Sequence, residues 1–122
     1  MSKKILLVDD DPGVHFIVTP ILIKQGYDVV SAKHGEQGLQ IALNQRPDLI
    51  ILDVIMPGIK GRELCIKMKA YEVLKNIPVI FLTAKDSEDD IKAELDAGAV
   101  THLTKPIDPA QLVAVIKGIL GS

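Results

Sequence analysis

Six residues scattered along the chain are of a kind that does chemistry: the acid run Asp9-Asp10-Asp11, then Asp53, Thr83 and Lys105. Each follows a short apolar segment, namely Ile5–Val8, Leu49–Leu52, Val79–Leu82 and His102–Leu103. Carboxylates gathered in one place repel one another and raise each other's pKa unless a cation sits among them. Oxygen-only donors suit a hard divalent ion, and a few carboxylates with waters are the usual Mg2+ arrangement beside a phosphate. Lys105 adds a point charge for one phosphate oxygen and Thr83 a hydroxyl donor for another. Asp53, in the middle of the set, is then the natural nucleophile for covalent capture of a phosphoryl group. Metal, ammonium and hydroxyl would stabilise the equatorial oxygens during that transfer.

Such residues meet only if the elements between them bring them together. Apolar runs of four or so residues, bounded by turn formers and alternating with longer amphipathic stretches, predict buried strands of a parallel sheet. All strands of such a sheet point one way, so residues just past their C-terminal ends collect along one edge, where open α/β folds bind ligands. The intervening stretches predict helices. Asp11 is a cap with Pro12 in the first turn, running to about Gln25-Gly26. A short strand follows at Asp28–Ser31, then helices near Glu36–Asn44, Arg62–Leu74 and Ser87–Ala97, the last closed by Gly98. Asp108-Pro109 repeats the cap-plus-proline device and opens a helix to about Leu120.

The motifs match a known family in order and spacing. Ile5-Leu6-Leu7-Val8-Asp9-Asp10-Asp11-Pro12 holds its acid pair, and Asp53-Val54-Ile55-Met56-Pro57-Gly58-Ile59-Lys60-Gly61 its D-x-x-M-P-x-x-x-G block. Phe81-Leu82-Thr83-Ala84 holds its threonine and Lys105-Pro106 its K-P pair. Over nearly its whole length the chain resembles a bacterial two-component receiver domain. The resemblance implies a flavodoxin-like, doubly wound α/β fold: a five-stranded parallel sheet of order 2-1-3-4-5 with helices on both faces. It implies a phosphorylation-activated switch, not an enzyme, in which a histidine kinase or phosphotransfer protein donates a phosphoryl group to Asp53 with Mg2+. Asp10, Asp53 and the backbone carbonyl of Ile55 would hold the metal, and Asp9 would act mainly through water. Lys105 would pair with the phosphate, Thr83 would move to bond it, and the Lys105–Pro106 peptide would be cis.

Departures from the family pattern say more about this particular chain. His102 stands where receivers usually have the Tyr or Phe that swings inward with the threonine. Histidine changes charge near neutral pH, so a pH-sensitive switch is one reading and a partly exposed strand residue the other; unchanged pH dependence of partner affinity in His102→Tyr would decide for the second. The stretches Val100-Thr101-His102 and Leu112–Leu120 lack the acids, and have only Lys117 of the bases, that link receivers of DNA-binding regulators as dimers. A monomer or weak dimer is expected. Ile55 and Lys85, two residues past Asp53 and Thr83, would hinder water and prolong the phosphoryl group; equally fast hydrolysis in Ile55→Asn and Lys85→Ala would remove that idea.

The first helix separates into two faces at 100° per residue. Val14, Ile17, Val18, Ile21 and Leu22 form the expected core stripe. Phe16, Pro20 and Ile23 lie opposite as an apolar row suited to a partner helix, with Pro20 expected to kink the helix near Phe16. Cys65 reads as a packing residue, and His15 and His34 as surface positions.

Composition narrows the classes. With 122 residues the chain is read as one domain, 1–122, without an output domain, although a receiver cut from a longer regulator is the alternative. A net charge of −2 gives no case for nucleic acid or an anionic membrane. The single cysteine excludes an internal disulfide, and the chain has neither a ~20-residue apolar span nor a signal peptide; a cytoplasmic location is expected. An aspartate-nucleophile phosphatase would need an acid where Ile55 stands. A flavin carrier would need a hydroxyl- and glycine-rich loop where Asp9-Asp10-Asp11 would repel phosphate. The remaining rival is a docking module of receiver fold that phosphate does not switch; such modules usually lack one or more site residues, and here all five stand.

Overall fold

The computed structural model describes residues 2–56, 58–84 and 88–121. Pro57, Lys85, Asp86 and Ser87 lie outside that set, and with them the expected first residue of the fourth helix and one of the two residues expected to hinder water. Strands and helices alternate strictly: β1 (Lys4–Val8), α1 (Pro12–Lys24), β2 (Asp28–Ala32), α2 (Gly35–Gln45) and β3 (Leu49–Asp53). They continue as α3 (Gly61–Lys69), β4 (Val79–Thr83), α4 (Glu88–Asp96), β5 (Thr101–Thr104) and α5 (Pro109–Leu120). All pairings are parallel and the order is β2-β1-β3-β4-β5, as expected.

Alternation along each strand feeds two cores. Ile5, Leu7, Leu49, Ile51, Ile80, Leu82 and Leu103 pack with Val14, Val18 and Leu22 of α1 and with Leu112 and Ile116 of α5. Leu6, Val8, Ile50, Leu52, Val79 and Phe81 pack on the other face with Leu39 and Ala42 of α2 and Leu64, Cys65 and Met68 of α3. Covering both faces makes the central strands apolar at every position, which is why they read as continuous runs. Full burial of one such Leu or Ile is worth about 1.5–3 kcal/mol. The layers approach closely where α2 crosses β1: a Cβ on Gly38 would stand 2.8 Å from Val8 Cγ2. No helix among the described residues is long and apolar enough to cross a membrane.

Both cap-plus-proline starts occur. The Asp11 carboxylate accepts from Gly13 N–H and the Asp108 carboxylate from Ala110 and Gln111 N–H. The α1 helix runs through Pro20 to Lys24. Two expectations fail. Ile17, assigned to the core stripe, is 52% exposed. It lies about 60° to one side of Val14 while Val18 lies about 40° to the other, and the helix turns its Val14–Val18–Leu22 line onto the sheet. The third helix ends at Lys69, not Leu74. Beyond it Leu74 N–H and Lys75 N–H both donate to Tyr71 O, a turn that folds Leu74 back into the core at 1% exposure. The Lys69 ammonium donates to Lys75 O and Ile77 O, holding that turn against the helix end.

Candidate functional site

The carboxyl ends of the strands bring the sequence-predicted residues together. Val8, Leu52 and Leu82 are the last apolar residues of their strands, and Asp9, Asp53 and Thr83 follow them at the sheet edge. Asp9 is fully buried, Asp53 5% exposed and Thr83 2% exposed, while Asp10 is only partly buried. One carboxylate oxygen from each of Asp9, Asp10 and Asp53 lies within 4.8 Å of the others. Lys105 reaches in from beyond β5, its Nζ 3.2 Å from Asp9 Oδ2 and 3.3 Å from Asp53 Oδ1. The Lys105–Pro106 peptide is cis, as the family pattern implied, and Lys105 N–H donates to Thr83 O at 2.8 Å.

Asp9 is held through its backbone and its carboxylate. Its N–H donates to Ala32 O, its Oδ1 accepts from Asp11 N–H at 2.9 Å, and its Oδ2 faces Lys105. His15 Nε2 lies 2.7 Å from Asp9 O. A carbonyl can only accept, so Nε2 carries the proton. His15, partly buried at the surface, therefore also supports the site; a single histidine in a helix carries no sequence mark of that contact. His34 is exposed and Cys65 buried, as expected.

Electrostatics follow from two buried carboxylates, Asp9 and Asp53, sharing one ammonium, with the more accessible Asp10 beside them. Burial, then the negative charge of Asp9, pushes Asp53 up to about 6, with Lys105 and the Ile55 N–H acting against the rise. Burial alone would lower the Lys105 ammonium, yet the charges of Asp9 and Asp53 outweigh it and the pKa is raised. The site thus keeps its cation firmly and holds its central carboxylate with difficulty, the condition a divalent ion would relieve. The donor set is all oxygen, which fits Mg2+.

Gly61 explains one fixed point of the motif. A Cβ there would collide with the Asp53 carbonyl oxygen and stand 2.9 Å from Val54 Cα. Gly61 N–H donates to Val54 O and Val54 N–H to Leu82 O, so the start of α3 clamps the loop that follows Asp53. Ile55 donates its N–H to Asp53 Oδ1 at 3.4 Å and leaves its side chain 59% exposed.

The family model for the response regulator receiver domain matches residues 5–117. The chain belongs to this family. Receivers of several kinds resemble it. It is 40% identical over 120 residues to the alkaline phosphatase synthesis transcriptional regulatory protein PhoP of Bacillus subtilis, covering 98% of this chain and 49% of that protein. It is 38% identical to sporulation initiation phosphotransferase F of the same organism, covering 98% of this chain and 95% of that one. The chain spans about half the length of the first two curated relatives it matches. A receiver domain of a sensor histidine kinase from Pseudomonas aeruginosa, solved with a magnesium ion coordinated in its active-site cleft, superposes with a TM-score of 0.91 at 31% identity and covers all of both chains. As a receiver, the protein is a phosphorylation-type switch of two-component signalling, and Asp9, Asp10 and Asp53 form its acidic pocket.

The remaining predicted positions lie around this centre. Phe16 is 81% and Ile23 57% exposed, and Pro20 is exposed with them on the outer side of α1. Pro12, His15, Phe16, Thr19, Pro20 and Lys33 line a shallow groove beside the acid run, which Ile23 does not enter. His102 is partly buried on β5, opposite Phe81 of β4.

Proposed function

We propose that Asp53 is the phosphoacceptor and that the donor is a phosphohistidine on a kinase or phosphotransfer protein. An Asp53 oxygen forms the new O–P bond, the histidine N–P bond breaks, and the imidazole leaves with the electron pair. Lys105, already bridging Asp9 and Asp53, turns its charge to a phosphoryl oxygen, and the Thr83 hydroxyl bonds another. Asp10, Asp53 and the Ile55 carbonyl would hold Mg2+, with Asp9 acting through water; the ion supplies charge neutralisation for incoming phosphoryl oxygens. Asp9 keeps Lys105 protonated and placed. The single observation that carries the reading is the meeting of three carboxylate oxygens within 4.8 Å at the sheet edge, with Lys105 paired to two of the three residues. The chain turns over no separate substrate; it assists only its own phosphorylation and dephosphorylation.

Phosphorylation then changes affinity for a partner or passes the group on. Likeness to a sporulation phosphotransferase along nearly its whole length supports the carrier role, and likeness to the half of a transcriptional regulator supports the receiver of a longer protein. Action in the cytoplasm, as a monomer or weak dimer that does not itself bind nucleic acid or membrane, completes the proposal. The test is acetyl phosphate with Mg2+ or with EDTA, followed on phosphate-affinity gels and by hydroxylamine, which discharges acyl phosphates. A shifted band that needs Mg2+, is lost with hydroxylamine and is absent in Lys105→Ala supports the proposal. A band that resists hydroxylamine overturns it.

A further inference from the structure

Away from the acid cluster, one buried carboxylate among the described residues takes no part in the chemistry above. Glu94 lies on α4 at 1% exposure, and neither of its carboxylate oxygens has a hydrogen-bond partner among the described residues. It is also the one fully buried residue of α4; Leu95 beside it points outward at 48% exposure. An acid therefore occupies the position where an apolar anchor would hold this helix to the sheet.

Three charged or titratable groups face it. His102 comes from β5, Arg62 from the first turn of α3, and Asp90 lies one turn earlier on α4. Arg62 is engaged elsewhere, its Nη2 3.0 Å from Asp90 Oδ1, and its buried Nε has no partner among the described residues. The pKa of Glu94 is raised by burial first, with His102 and then Arg62 pulling it down and Asp90 adding to the rise. A carboxyl in this setting is far cheaper neutral than charged, whereas an opened helix would give it water.

We propose that α4 is a proton-gated element: it lies closed on β5 while Glu94 holds a proton and opens as that proton leaves. In the step the Glu94 O–H bond breaks, the electron pair stays on the carboxylate, and the proton passes to water. His102 and Arg62 set the pH at which it happens. Opening uncovers His102 and the edge strand β5, so access to that face follows pH without any change at Asp53. The inference stands apart from phosphorylation, and its test uses the unphosphorylated protein.

The measurement is amide hydrogen exchange by NMR from pH 4.5 to 8, corrected for intrinsic exchange rates, comparing Ile91–Asp96 with Ile51 of β3. A carbon-13 titration of the Glu94 carboxyl supplies its midpoint. In wild type the opening constant of α4 rises tenfold per pH unit above the ordinary glutamate value of 4.5 and levels off at the Glu94 midpoint. Glu94→Gln and Glu94→Met both abolish the slope, and Glu94→Met raises α4 protection at pH 7 by tenfold or more. His102→Gln moves the Glu94 midpoint upward. Protection of α4 that follows Ile51 at every pH, or a slope that survives both Glu94 substitutions, overturns the proposal.

Discussion

Replacing Asp53 by Asn should stabilise the metal-free protein, because the site holds that carboxylate at a cost. Asparagine has nearly the same shape, keeps an acceptor for the Ile55 N–H, and carries no charge toward Asp9. The Asp53 pKa stands at about 6 in the folded protein against 3.8 as the ordinary value. A group raised in this way leaves stability intact below pH 3.8 and removes it as pH rises toward 6, with no further loss above. Integrating that difference gives about 1 kcal/mol at pH 4.5 and about 3 kcal/mol at pH 8. Asp53→Asn should thus exceed wild type by about 3 kcal/mol at pH 8 in EDTA, worth about 10 °C in Tm for a domain of this size. Urea unfolding followed by circular dichroism is the assay, since the chain has no tryptophan. Saturating Mg2+ should then narrow the gap by stabilising wild type by about 2.7 kcal/mol at a hundredfold excess over Kd. An Asp53→Asn protein no more stable than wild type at pH 8, or a gap independent of pH, would refute the reasoning.

Four further outcomes follow from the same geometry. Gly61→Ala drives a methyl into the Asp53 carbonyl and should lose about 3 kcal/mol or more in thermal unfolding, along with phosphoryl acceptance. Leu22→Ala should lose about 3 kcal/mol, while Ile17→Ala, at the exposed edge of the same helix, should change stability by less than about 0.5 kcal/mol. Lys105→Met should move the Asp53 carboxyl above about 6 in a carbon-13 titration, since it removes the one cation that opposes the rise; a downward move contradicts the account. Phe16→Glu should slow phosphotransfer from a kinase and spare phosphorylation by acetyl phosphate; equal loss of both would remove α1 as a docking surface.

What the sequence discloses here divides by range. Asp9, Asp53, Thr83 and Lys105 were legible because each ends an apolar run, and a parallel sheet with both faces covered turns such runs into one edge. The Asp11-Pro12 and Asp108-Pro109 starts were legible because capping is local. Helix phase was only partly so: the wheel placed Ile17 beside Val14 but not which few tens of degrees would face the sheet. The end of α3 was lost because Leu74 is apolar at helical spacing whether it continues the helix or folds back through Tyr71. Contacts between distant groups left no mark at all. His15 on the Asp9 carbonyl and Arg62 on Asp90 are pairings across elements, and Glu94 looks like any surface acid on an amphipathic helix until the sheet covers it.

The central claim is that Asp53 accepts a phosphoryl group, and intact mass after incubation with acetyl phosphate and Mg2+ tests it most directly. Wild type should gain the mass of one phosphoryl group while Asp53→Asn gains none and EDTA prevents the gain. No gain in wild type with Mg2+ shown to bind, or an equal gain in Asp53→Asn, would contradict the account.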